Sequence, residues 1–324
     1  MKKILVTGAS GFIGKALCNK LIKTNLSTCV AVRSFNSYYN HNAIKQILIK
    51  DINSNTNWKN VLNNIDCIVH CAGIAHNMVK KNDLNFYRST NLEGTKRLAE
   101  QAAEAGVKRL IFLSSVKVNG EFTNDEYNKT DKNSQKKDIF THFDVPNPSN
   151  PYSISKLEAE RALYKIYART GLEIVVVRLP LVYGYNAKGN LSRLIKIIKL
   201  GIPLPFSTIK NQRSMIGIDN LVDLLIQCID HPNAVGKTFL VSDGKDLTIS
   251  ELIRLITLSM KQKTRLFPLP LFLLKFVATV FGKQSEINRL IGSLRVDCNY
   301  TQKVLNWTPP ISVEEGIRRM IQEK

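Results

Sequence analysis

The chain has 324 residues, 44% of them hydrophobic, enough to bury a large core in two domains or in one domain with a lobe. It carries 46 Lys and Arg against 26 Asp and Glu, a formal net charge of +20. These basic residues are spread along the chain rather than clustered with aromatic platforms, which argues against a nucleic-acid partner and leaves a surface attractive to anions.

Lys3–Thr7 predicts a first strand, and Gly8-Ala9-Ser10-Gly11-Phe12-Ile13-Gly14 follows it, leading into an amphipathic helix over Ile13–Lys23. Glycines between a strand and a helix permit a tight turn and let backbone approach a pyrophosphate at the helix N-terminus. Gly8, Ser10, Gly11, Phe12, Ile13 and Gly14 are therefore candidate dinucleotide-binding residues. Further strands are expected at Thr28–Val32, Gln46–Ile49, Cys67–His70, Arg109–Leu113 and Glu173–Arg178. Helical segments at Trp58–Asn63, Asn91–Ala105 and Ser155–Thr170 lie between them. Apolar runs separated by helices imply a parallel sheet covered on both faces.

The second strand ends at Val32-Arg33. An acidic residue there would take the ribose 2′-hydroxyl, whereas Arg33 suits a 2′-phosphate, so the expected NAD(P)(H) leans towards NADP(H). Asp51 and Ile52, after the third strand, are placed to meet the adenine amino group and ring. Thr123–Asn150 is polar, charged and without period, and reads as a surface loop.

Tyr152-Ser153-Ile154-Ser155-Lys156 follows that loop. A tyrosine and a lysine four apart share a helix face, where an ammonium can lower a phenol's pKa from its usual value of about 10. The Ser114-Ser115 pair at the fifth strand's end offers a hydroxyl to hold a reacting oxygen beside that phenol. This equipment moves a proton while a hydride moves elsewhere.

After Arg178 the pattern loosens around Pro180, Gly184, Gly189, Gly201, Pro203 and Pro205. A strand near Thr238–Val241 is expected to return to the sheet, with helices near Ile249–Lys261 and Val313–Ile321. The domain reading is residues 1–178 for the dinucleotide-binding part and 179–324 mainly for a smaller substrate-binding lobe over the sheet's carboxyl edge. Leu266–Phe281 (LFPLPLFLLKFVATVF) is broken by Pro268, Pro270 and Lys275, short of the roughly 18 uninterrupted apolar residues a membrane span needs. It reads as a packed or partly exposed helix, with peripheral membrane contact as the alternative. The apolar run near the N-terminus is too short for a signal core. Cys67 and Cys71 lack zinc-site partners, so no metal is expected and the six cysteines read as reduced thiols of a cytoplasmic protein.

TGASGFIG, Cys71-Ala72-Gly73, Asn91-Leu92-Glu93-Gly94-Thr95, Ser114-Ser115, Tyr152-to-Lys156 and RLPLVYG (178–184) occur in this order. Together they resemble the extended short-chain dehydrogenase/reductases that act on nucleotide sugars, over nearly the whole chain. The resemblance implies an α/β doubly wound parallel sheet (Rossmann fold) with a smaller C-terminal substrate-binding lobe. It implies Ser115, Tyr152 and Lys156 as the catalytic set. Ala72, Gly73, Asn91 and Pro180, with Tyr152 and Lys156, would join the cofactor site. On a UDP-sugar, Asn190 and Leu191 would line the site, Phe206 would pack on uracil and Arg213 would grip the diphosphate. Lys117 and His76 would contact the sugar.

Departures from the family pattern narrow the reaction. Sugar dehydratases of the family carry an Asp-Glu pair where Val116 and Lys117 stand here, so elimination of water is not expected. Leu181 and Ala75 replace an asparagine and a lysine found in many 4-epimerases of the family. The run Phe112–Glu121 resembles 4-ketoreductases and 4-epimerases of surface-polysaccharide pathways. The reading carried forward is 4-keto reduction of a UDP-N-acetyl-deoxyhexosulose, with 4-epimerisation of UDP-glucose or UDP-N-acetylglucosamine as the alternative. Reduction of a hydrophobic ketone and non-catalytic NADP sensing are further alternatives. A homodimer is compatible with such a chain, though the sequence does not fix the oligomeric state.

Overall fold

The structure, a computed structural model, describes residues 1–40, 44–75, 83–123, 138–187 and 189–322. Its strands are β1 (Lys3–Thr7), β2 (Ser27–Val32), β3 (Lys45–Leu48), β4 (Cys67–His70), β5 (Arg109–Ser115), β6 (Glu173–Leu179), β7 (Leu181–Tyr183), β8 (Met215–Gly217) and β9 (Lys237–Leu240). Seven of them form one sheet in the order β3-β2-β1-β4-β5-β6-β9, every pair parallel. Buried on both faces, the central strands are nearly all apolar: β6 runs Ile174, Val175, Val176, Val177 without exposure.

The helices are α1 (Phe12–Leu21), α2 (Ser37–Asn40), α3 (Leu84–Arg88), α4 (Thr95–Glu104), α5 (Pro151–Thr170), α6 (Asn190–Lys199), α7 (Ile218–Asp230), α8 (Ile249–Ser259), α9 (Leu271–Val280), α10 (Gln284–Ile291), α11 (Asn299–Leu305) and α12 (Val313–Gln322). Helix α1 buries Gly14, Leu17, Cys18 and Leu21, one stripe at helical spacing. It covers one face of the sheet with α7 and residues of α11, while α4 and α5 cover the other. The doubly wound parallel sheet expected from the sequence is the one found. Helix α7, β9 and α11 pack with the sheet although they follow residue 178, so a cut at that residue does not separate two bodies.

Strand order reverses between β1 and β4, which opens a crevice at the carboxyl ends where such sheets take their ligands. A second core holds the lobe: Leu194 and Ile198 of α6, Leu252 and Ile256 of α8, Leu274 of α9 and Ile317 of α12. Trp58–Asn63, expected as a helix, forms turns only. The Trp58 side chain is fully buried, and its backbone N–H donates to Gln101 Oε1 at 2.8 Å. Packing against α4 holds the segment without needing a second helical turn.

Candidate active site

The glycine turn comes first, because it is the part that tolerates least. Gly8 has φ 68°, and a Cβ there would lie 2.7 Å from Ala72 N. A Cβ on Gly14 would meet Gly8 O at 2.3 Å. Each collision is with backbone, so neither can be relieved by rotating a side chain. The turn and the β4 end thus approach closely and leave above them a cleft of about 460 Å³. Of the residues expected to bind the cofactor, Gly8, Ser10, Gly11, Arg33, Asp51, Ile52, Ala72 and Gly73 line it, together with Asn53, Ile74, Ser89 and Thr90, which the sequence had not singled out. Phe12 and Ile13 open α1 beside the turn, and buried Pro180 separates β6 from β7.

Asn91 sits in a π-helical turn, Ser89–Gly94, ahead of α4. It accepts from Ile74 N at 2.8 Å and donates to Ile74 O at 3.1 Å and to Ser155 Oγ at 3.0 Å. It therefore clamps the segment after Gly73 to the first turns of α5. A wide turn of this kind re-aims a side chain that a regular helix would send elsewhere.

Helix α5 begins with a capping box, Asn150 accepting from Ser153 N, and has Pro151 at its first position. Its first turns carry Tyr152 and Lys156 to the end of β5. The two adjacent serines divide there: Ser114 donates to Glu160, which also takes Arg178 in a two-point pair. Ser115 instead accepts from Lys117 N at 3.3 Å and lies beside Tyr152, where its hydroxyl favours the phenolate. The side chain that β5 frees for chemistry is Ser115. Tyr87 meets the Tyr152 ring edge-on at 6.1 Å.

Electrostatics differ from the expectation in one respect. Burial pushes the Tyr152 phenol up to about 12, with the neighbouring Ser115 hydroxyl working the other way. Burial also brings Lys156 down to about 8. Its Nζ donates to Leu113 O at 2.8 Å and lies 4.5 Å from the Phe112 ring centre. The lysine is turned to the sheet and the Gly73 edge, so desolvation outweighs any help it gives the phenol. His70, between Thr7 and Thr95, is buried and held at about 3, hence neutral.

A second cleft, of about 180 Å³, opens in the lobe. It gathers Lys117, Asn190, Leu191 and Arg213 of the expected set, with Leu181, Glu121, Thr248 and Arg289. Arg213 donates to Gly292 O at 3.0 Å and to Arg289 O, which ties it to the α10 end. Lys117 pairs with Glu121 at 3.0 Å, and Asn150 also reaches Glu121. Phe206 is corrected: it lies outside this lining, 5% exposed in the lobe core. Its ring is more favourably buried among leucines and isoleucines than held at a wet rim. His76 lies outside the described residues. Glu121 and Arg289 carried no local signal; an exposed arginine on an amphipathic helix reads as a solvated face.

Residues 4–242 match the family model described as the NAD dependent epimerase/dehydratase family. The chain is 38% identical to a UDP-glucose 4-epimerase of Vibrio cholerae, over 99% of this chain and 95% of that one. It is 25% identical to an N-acetyl-α-D-glucosaminyl-diphospho-ditrans,octacis-undecaprenol 4-epimerase of Escherichia coli O157:H7, over 98% and 94%. In fold it superposes on a UDP-glucuronic acid 4-epimerase of Bacillus cereus solved with NAD, at TM-score 0.77 and 20% identity, over 98% and 95%. A match over most of its length, a relative of that identity and the resemblance its own motifs carry lead to one conclusion: this chain is an enzyme of the NAD dependent epimerase/dehydratase family, within the extended short-chain dehydrogenase/reductases.

Proposed function

We propose that the protein is a 4-epimerase of a UDP-linked sugar, with Tyr152 as the proton-transfer group. The observation that carries the chemistry is the placement of Ser115 beside Tyr152, with Lys156 one turn along α5 donating to Leu113 O at 2.8 Å and lying next to Gly73 of the glycine-lined cleft. The relatives favour epimerisation over the 4-keto reduction expected first, and the relative from Vibrio cholerae points to UDP-glucose as the first substrate to try.

The cleft suits a dinucleotide: a side chain on Gly8 or Gly14 would collide with its backbone floor. NAD, when bound, supplies the acceptor and donor of hydride. Gly8 and Gly11 would take the pyrophosphate, Asp51 and Ile52 the adenine, and Lys156 the nicotinamide ribose. Cofactor choice rests on NAD; a preference for the 2′-phosphate form rests on Arg33 alone, and turnover with each form compares them.

Ser115 would hold the C4 oxygen while Tyr152, as its phenolate, would take the C4 hydroxyl proton as C4 is oxidised and return it after the keto sugar has turned its other face. The loaded site therefore has to bring the phenol down from the value of about 12 set by burial. Arg213 and Arg289 hold the diphosphate through charge-assisted hydrogen bonds, with Asn190 and Leu191 on the nucleotide side. Val116 is buried and Lys117 is paired to Glu121, so the positions that would need carboxylates for elimination offer none. Incubation with UDP-glucose and with UDP-N-acetylglucosamine should give redox-neutral interconversion with the 4-epimer. Stoichiometric NAD(P)H consumption on a UDP-4-keto sugar, with no interconversion, would replace epimerase by reductase.

A further inference from the structure

Helix α9 is the least explained surface of the molecule. It fastens to the lobe through Leu274 and Ala278, 5% exposed each, and turns most of its remaining apolar side chains outward. Phe272 is 72% exposed, Phe276 64%, Val280 65% and Phe281 73%. Phe272, Phe276 and Val280 recur every fourth residue, so they form one line along the helix. Four large apolar groups in one patch are unusual on a soluble surface and mark an interaction site.

The patch continues beyond the helix. Arg265 Nη1 donates to Gly201 O at 3.0 Å, and Phe267 N donates to Leu204 O at 3.1 Å. That pairing brings Leu200 and Ile202, 75% and 48% exposed, to the same side of the lobe.

The surrounding charge is predominantly positive, with Glu286 of α10 paired to Lys283 and Arg193. From Lys261 to Lys283 the chain has five basic residues (261, 263, 265, 275 and 283) and no acidic one. From Asn190 to Ile218 it again has no acidic residue, while Lys196 and Lys199 stand exposed at the end of α6. Two copies of this face brought together would oppose cation to cation. Among the described residues no helix is long and apolar enough to cross a membrane.

We propose that α9 and the adjoining 200–202 turn dock the enzyme on an anionic lipid bilayer, the phenylalanines entering the interfacial layer and the surrounding lysines meeting lipid headgroups. Helix α9 runs through Gly282 into α10, which carries Arg289 of the substrate cleft. Docking therefore sets that cleft beside the membrane surface. The proposal does not depend on which C4 reaction the enzyme performs.

Sedimentation of the full chain with vesicles of equal parts phosphatidylglycerol and phosphatidylcholine tests it. The protein should pellet with these vesicles, and at least about tenfold less with phosphatidylcholine alone or at high salt. Phe272→Ser with Phe276→Ser should weaken binding by about tenfold or more, with the melting temperature and sugar-nucleotide turnover kept. Tyr152→Phe should pellet like the wild type. Three outcomes overturn the proposal: a wild type that stays in solution beside anionic vesicles, a double variant that pellets undiminished, or an oligomer that the double variant dissolves while vesicles bind neither form.

Discussion

The two clefts of this enzyme are made of different material. The glycine-lined cleft is floored by backbone: Gly8 lies too close to Ala72, and Gly14 too close to Gly8, for either to carry a Cβ. The lobe cleft, proposed to take the substrate, is walled by long side chains, Arg213, Arg289, Lys117 and Glu121, on short elements tied together by side-chain-to-carbonyl hydrogen bonds. A backbone floor allows almost no variation and admits one class of cofactor. A side-chain wall can be rewritten residue by residue without disturbing the sheet. This division lets one fold keep its redox partner while the sugar changes.

The contrast can be broken at four points. The largest effect is expected at the junction of the clefts, where Tyr152→Phe removes the transferable proton and leaves the ring. Turnover should fall about a thousandfold, with NAD binding and the thermal melt unchanged; turnover within a few-fold of wild type would remove Tyr152 from the mechanism. Next comes Gly8→Ala, which places a Cβ at positive φ against Ala72 N. It should cost about 2–4 kcal/mol of stability by chemical denaturation and weaken NAD binding with it. An unharmed variant would mean that the floor is pliable.

Arg289→Ala should leave the denaturation midpoint in place and raise KM for the UDP-sugar about 10- to 100-fold, the worth of a charge-assisted contact. Steady-state kinetics check this, and a fall in NAD affinity instead would blur the division between clefts. The smallest effect is a change of stability with pH, read on Lys156→Met. Folding lowers the Lys156 pKa from 10.5 to about 8. Below about pH 8 both states hold the proton and the folded state bears the full cost of a buried ammonium. Between about 8 and 10.5 the folded state has shed that proton while the unfolded chain keeps it, so this group's destabilisation fades as pH rises. Lys156→Met should therefore be inactive yet more stable than wild type at pH 7, by a margin that narrows by about 1 kcal/mol at pH 9. A constant margin in urea melts would show that Lys156 titrates alike in both states.

Much of this site was legible before any coordinates. Strands at Lys3–Thr7 and Cys67–His70 fall where apolar runs placed them, because a strand buried on both faces announces itself as such a run. Tyr152 and Lys156 share a face of α5 by spacing alone. Phe206 misled because an aromatic residue before a helical lobe suits a stacking platform and a core equally well; only packing distinguishes them. Arg289 was silent because its partner Arg213 lies 76 residues away. The short run at Trp58 looked helical by composition, but one buried indole and one bond to Gln101 hold it as turns.

Local order was the sequence's to determine: the alternation of strand and helix, the glycine turn, and the register that sets a phenol one turn from an ammonium. These depend on contacts within a few residues, where backbone geometry and side-chain period act directly. Tertiary structure decided the rest. It turned Ser115 rather than Ser114 towards Tyr152, gathered two arginines at one cleft and left α9 uncovered. It also reversed the expected pKa of Tyr152, since burial is a property of everything packed around a group and outweighs a charge four residues along the helix.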